Sequence, residues 1–107
     1  MSFNVKSISV FERQAKRLIK KFPSLKTELQ ELIKTLKDEP QTGSSIGNNC
    51  YKVRLAIASK GKGKSGGARV ITHVHISETA VYLLTIYDKS EQSDVSDNEV
   101  KYLLSLI

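Results

Sequence analysis

The sequence predicts an α+β domain. An N-terminal strand and a helical hairpin pack on one face of a mostly antiparallel four-stranded sheet, and a short C-terminal helix closes the chain. Three observations predict it. Two consecutive apolar stripes at helical spacing occupy the first 36 residues. Three strand-like runs follow at 50–59, 68–76 and 80–87. A capping signal then precedes a last short apolar run. The 107 residues suffice for one core and are read as a single domain, 1–107.

Asn4–Ser9 alternates apolar and polar side chains and reads as a short strand. Ser9 and Glu12 have capping-box spacing ahead of a helix whose stripe is Phe11, Ala15, Leu18 and Phe22. Pro23-Ser24 breaks the chain. Leu25, Leu29, Leu32, Ile33 and Leu36 then form a second stripe that ends before Pro40. So short a break between two helices makes a hairpin with one apolar seam. Residues 41–50 read as a loop from their Gly, Ser and Asn content.

From Cys50 to Ser59 the pattern alternates. Tyr51, Val53, Leu55 and Ile57 point to one face, and Lys52 and Arg54 to the other. That second face is expected to be free of helices. Residues 60–67 are too rich in glycine for a strand interior and read as a flexible connection. Residues 68–76 and 80–87 are strands joined by a short turn into a hairpin. Ser96 and Glu99 form another capping-box pair, opening a helix that bears Val100, Leu103, Leu104 and Ile107. Tyr51, Tyr82 and Tyr102 are expected to be packed or partly buried. Cys50, the single cysteine, is expected to be inert, with no base identified beside it.

Charge is distributed unevenly. Residues 1–39 carry net +4, residues 40–77 carry six cations and no acid, and residues 78–107 carry net −4. A segment without a carboxylate cannot neutralise itself locally and projects positive potential toward polyanions, nucleic acid foremost. No apolar run is long enough to cross a membrane. The N-terminal residues show no secretory pattern, so the cytoplasm is the expected compartment.

Residues 58–65, ASKGKGKS, fit the loose form of a nucleotide-binding phosphate loop. Such a loop needs a helix directly after its Lys-Ser pair, because the helix N-terminus completes the phosphate site. Gly66, Gly67 and the β-branched run from Ala68 follow instead, so no small-molecule nucleotide is expected. A glycine-spaced set of lysines beside Arg54 and Arg69 suits the backbone of an RNA chain, with arginine offering a planar fork to a phosphate.

FERQAKRLIKKFPSL, YKVRLAIASKGKGKSGGARVI and YLLTIYDKSEQSDVS together resemble the RelE/ParE superfamily of bacterial toxins from toxin–antitoxin modules, nearest its RelE and HigB branch. The resemblance implies a ribosome-dependent mRNA endonuclease that uses the RNA 2′-OH as nucleophile, without metal or cofactor. It also implies three partners: a cognate antitoxin, the ribosome and mRNA. Arg69, Lys62 and Lys64 match the family's basic catalytic positions, and Tyr87 lies where the family places a further catalytic group. Lys52, Arg54, Lys60 and Lys89 are candidate RNA or ribosome contacts. His73 and His75, which share strand parity with Arg69, join them. A lysine among other cations has its neutral form favoured, so one of the loop lysines is a candidate general base. Ser90 and Ser96 stand where some relatives carry an arginine and a tyrosine. The other readings are a ParE-like inhibitor of DNA gyrase and a non-catalytic RNA-binding module.

Overall fold

A computed structural model of the chain describes every residue except Met1 and Lys62, and every side chain but those two and that of Lys64. The first strand, β1 (Asn4–Ser7), leads into helices α1 (Ser9–Lys21) and α2 (Leu25–Asp38). Strands β2 (Ser44–Gly47), β3 (Cys50–Leu55), β4 (Ala68–His75) and β5 (Ala80–Asp88) follow, and helix α3 (Asp97–Leu104) ends the fold. The sheet order is β1-β5-β4-β3-β2, with β1 parallel to β5 and every other pair antiparallel.

The sheet therefore has five strands, one more than the sequence predicted. The addition, β2, lies within the stretch read as loop. Asn48 and Asn49 both adopt positive φ, 56° and 57°. Two such residues make the tight turn whose twist matches a hairpin, and asparagine tolerates that conformation. Their loop-like composition thus marks the turn between β2 and β3. The first predicted cap also differs. Ile8 is the N-cap of α1, and the Glu12 carboxylate accepts from the Ser7 hydroxyl at 2.6 Å. The second is realised: the Ser96 hydroxyl accepts from the Glu99 amide at 3.1 Å.

Phe11, Ala15 and Leu18 of α1 and Leu25, Leu29, Leu32 and Leu36 of α2 pack on Val53, Val70, Val74, Val81, Leu83 and Ile86. Leu18, Leu25 and Leu36 are fully buried, each stabilising the fold by about 2 kcal/mol. The opposite face is not free. Cys50, Ile71, Leu84 and Tyr87 lie there under Val100 and Leu103 of α3. A sheet apolar at its centre on both faces requires cover on both. Tyr102, on the outer side of α3, is 61% exposed and takes no part in the packing predicted for it.

One irregularity sets which side chains meet. Ile71 of β4 pairs with Thr85 of β5, but Thr72 pairs with Leu83, so Leu84 is an extra residue. Before this bulge Val81 and Leu83 face the helical hairpin and Tyr82 faces away; after it Ile86 faces the hairpin. The bulge reverses the parity of β5 and turns Tyr87 to the α3 side. At the start of β4 the chain passes close to β3. A Cβ on Gly67 would lie 2.1 Å from the Leu55 carbonyl oxygen. Gly67→Ala is expected to lower unfolding free energy by about 2 kcal/mol in denaturant titration. Gly61→Ala would instead act only through its positive φ, since nothing lies within 4 Å of the added carbon.

Candidate active site

Arg54, Arg69 and Tyr87 are register partners on three adjacent strands, so the three side chains form one row across the α3 face. Lys52 lies in the next row, opposite Ile71. Arg69 donates from Nη1 to the Ala68 carbonyl at 3.0 Å. Arg69 and Tyr87 are each 5% exposed, whereas Arg54 is open to solvent. The Tyr87 hydroxyl is buried with no hydrogen-bond partner among the described residues. Burial, then the negative charge of Asp94, hold its pKa above the ordinary tyrosine value, and Arg69 opposes them. At neutral pH this phenol is a proton carrier able to donate, set beside a fixed guanidinium.

Val95 and α3 pack on the Tyr87 end of this row, and Arg54 stays open. Lys52 Nζ pairs with the Asp94 carboxylate at 2.6 Å, and Arg17 and Lys21 pair with Glu91 at 3.0 and 3.6 Å. Lys89 donates to the Ser93 carbonyl at 2.8 Å. Glu91 and Asp94, two of the acids that give the last third its negative charge, are thus folded onto cations of the rest. Ser96 caps α3, and Ser90 bonds to Asp88, so both serines at the divergent positions have structural partners.

The basic connection is more ordered than expected at its base. It contains 3-10 turns at Ala58–Lys60 and Lys64–Gly66. The Ala58 amide donates to Glu28 at 2.7 Å, and the Ser59 amide to the Ser24 hydroxyl at 2.9 Å. Lys60, expected at an RNA surface, is turned inward. Its side chain is 9% exposed, forms an ion pair with Asp88, donates to Ser90 at 2.8 Å and lies 5.5 Å from the centre of the Phe22 ring. Lys62 lies outside the described residues, as does the side chain of Lys64.

His73 and His75 share the face of Arg69 but sit four and six residues along β4, about 13 and 20 Å away. They do not join the row. His73 Nδ1 lies 3.6 Å from Cys50 Sγ, so a base does stand beside the cysteine. Burial, however, pushes the thiol up to about 11 and lowers the histidine, so the pair is neutral and the buried sulfur unreactive.

Asp88 was missed in the sequence, where a strand ending in aspartate carries no signal of its own. Its carboxylate Oδ1 accepts from Lys60, from the Ser90 amide at 3.0 Å and from the Ser90 hydroxyl at 2.7 Å, while Oδ2 is buried without a partner among the described residues. Burial disfavours the charge, but the bonds from Lys60 and Ser90 prevail and hold the pKa below the ordinary 3.8. A depressed carboxylate contributes stability above its unfolded pKa and loses it as pH falls through the folded one. Asp88→Asn is expected to cost about 3 kcal/mol at neutral pH by leaving Lys60 buried and unpaired. Its stability, followed by denaturant titration from pH 6 downward, should show a shallower decline below pH 4 than the parent's.

The family model described as the RelE toxin of the RelE/RelB toxin–antitoxin system matches residues 7–106. Among solved structures, an arginine-to-alanine double mutant of the E. coli toxin RelE in the free state is similar, with a TM-score of 0.61 at 15% identity. That match covers 99% of this chain and 94% of that one. The isolated E. coli RelE toxin gives 0.55 at 15% identity, over 99% of this chain and 100% of that one. A chain of the intact E. coli RelBE toxin–antitoxin complex gives 0.52 at 16% identity, over 81% and 96%. At such identities the structural likeness is one of fold. The family match spans nearly the whole sequence, and the chain belongs to the RelE toxin family.

Proposed function

We propose that this chain is the toxin of a type II toxin–antitoxin module and cuts messenger RNA on the ribosome. The observation that carries the proposal is the row of Arg54, Arg69 and Tyr87, which sets two guanidiniums and one neutral phenol on a single face. Like charges directly opposed across strands repel. A phosphodiester seated between them relieves that repulsion and accepts planar, charge-assisted hydrogen bonds. Family membership and the acid-free segment 40–77 support the same reading.

In the proposed reaction the ribose 2′-OH loses its proton to a base and attacks the adjacent phosphorus. The bond to the 5′-oxygen breaks, and that oxygen leaves with a proton, giving a 2′,3′-cyclic phosphate and a 5′-hydroxyl. Arg69 neutralises the charge that grows on the phosphoryl oxygens. Tyr87, kept protonated by burial, donates to the leaving oxygen. Lys62 and Lys64 are the proposed source of the base and of further positive charge. Arg54, Lys52 and Lys89 hold the backbone on either side. His73 and His75 are too distant for the chemistry. RNA reaches Arg69 and Tyr87 when the stretch around Asp94 moves aside and Lys52 exchanges Asp94 for a phosphate.

The E. coli RelBE structure is a toxin–antitoxin complex, and by that likeness we assign this chain a cognate antitoxin as partner. Its ribosomal substrate places its action in the cytoplasm. In a purified translation system the protein is expected to stop synthesis and to create new 5′ ends in ribosome-bound message. Arg69→Ala is expected to reduce cutting by about 100-fold or more. Normal synthesis at saturating protein, with gyrase supercoiling blocked in a parallel assay, would overturn the proposal in favour of a gyrase inhibitor.

A further inference from the structure

Both ends of the basic loop tip are fastened to two consecutive residues at the end of β5. At one end Lys60 is held by the Asp88 carboxylate. At the other the Lys89 amide donates to the Gly67 carbonyl at 3.0 Å. Residues 61–66 span the interval between these anchors. Asp88 is also the register partner of Ala68, whose carbonyl receives the Arg69 guanidinium. Tyr87 is the residue before it. One strand end therefore fixes the tyrosine, the seat of the arginine and the base of the lysine-bearing loop together.

Two other anchors among the described residues hold the loop to the helical hairpin. There Ser24 and Glu28 bind Ser59 and Ala58. Without Asp88 the N-terminal side of the loop would remain tied to α2 and lose its tie to the strand that carries Tyr87. A carboxylate 1% exposed, with one oxygen unpartnered among the described residues, is an expensive way to secure a turn that serine and glutamate already secure. Resting on the reading above, we propose that Asp88, acting through Lys60, is a positioning residue for RNA cutting. It fixes the basic loop in register with the Arg69–Tyr87 row. It does not touch the RNA.

Positioning is separated from stability by removing both charges at once. In Asp88→Asn with Lys60→Met, the amide oxygen still accepts from Ser90, and methionine keeps the length of the lysine stem. No buried charge is left unpaired, so the melting temperature is expected to return close to the parent's. Single-turnover cutting of ribosome-bound message should nevertheless fall about 10- to 100-fold, with ribosome affinity unchanged, because misplaced groups lose rate and not binding. Amide exchange over 58–67 should accelerate while β4 and β5 stay protected. Lys60→Arg, which keeps a charged partner for Asp88, should recover most of the rate.

Cutting that follows the melting temperature across the parent, Asp88→Asn, the double variant and Lys60→Arg, or loop amides that exchange as in the parent, would overturn the positioning role. If the parent itself cuts no message, the failure lies with the proposed reaction, and this role falls with it. A parent that cuts beside a double variant that cuts equally well refutes this role alone.

Discussion

The pairing of β4 with β5 is the interaction on which the rest of the structure depends. These two central strands bury residues on both faces, and each supplies half of the candidate site. Their ladder is interrupted once, at Leu84. Were the same residues to run on through Leu84 with no bulge, the alternation set by Val81, Tyr82 and Leu83 would continue. Tyr87 would then point into the helical hairpin, and Asp88 would point to the α3 face. The bulge exchanges them. It sends the phenol to Arg69 and the carboxylate to Lys60, and a single inserted residue thereby separates the reacting face from the anchoring one.

Charge is arranged to match. The acid-free middle of the chain and the acidic last third do not stay apart in the fold. Asp88 meets Lys60, Glu91 meets Arg17 and Lys21, and Asp94 meets Lys52. These contacts are unequal. Asp94 is 62% exposed, and exposed pairs contribute about 1 kcal/mol or less, so the stretch around it can be displaced by a competing polyanion. Asp88 and Lys60 are buried, and their separation is costly. In the proposed reaction one acid gives way to a phosphate while another holds the loop in place.

Much of this architecture was legible in the residues. The apolar stripes at Phe11–Phe22 and Leu25–Leu36 and the alternation from Tyr51 to Ile57 fixed the hairpin and the side of the sheet it covers. The parity of Lys52 and Arg54 placed both on the face turned away from the hairpin, whereas the register that sets Arg69 beside Arg54 belongs to the folded sheet. What was not legible depended on long-range pairing. The bulge has no sequence mark, because Leu84 and Thr85 are ordinary strand residues. Asn48 and Asn49 signalled a turn but not that the segment before them would pair. Lys60 could not be told from its neighbours in an evenly spaced lysine run, since its partner lies 28 residues away. The cover over the second face went unseen for a related reason: only the folded sheet brings Cys50, Ile71 and Leu84 together beneath Val100 and Leu103.

The central claim is that Arg69 and Tyr87 act as one unit on a single phosphodiester, and a double-mutant cycle tests it most directly. Single-turnover cutting would be measured for the parent, Arg69→Ala, Tyr87→Phe and the combination. Groups that serve one transition state are strongly non-additive, so the double variant is expected to cut no more than a few-fold slower than the slower single variant. A double variant whose loss equals the product of the two single losses would contradict the account.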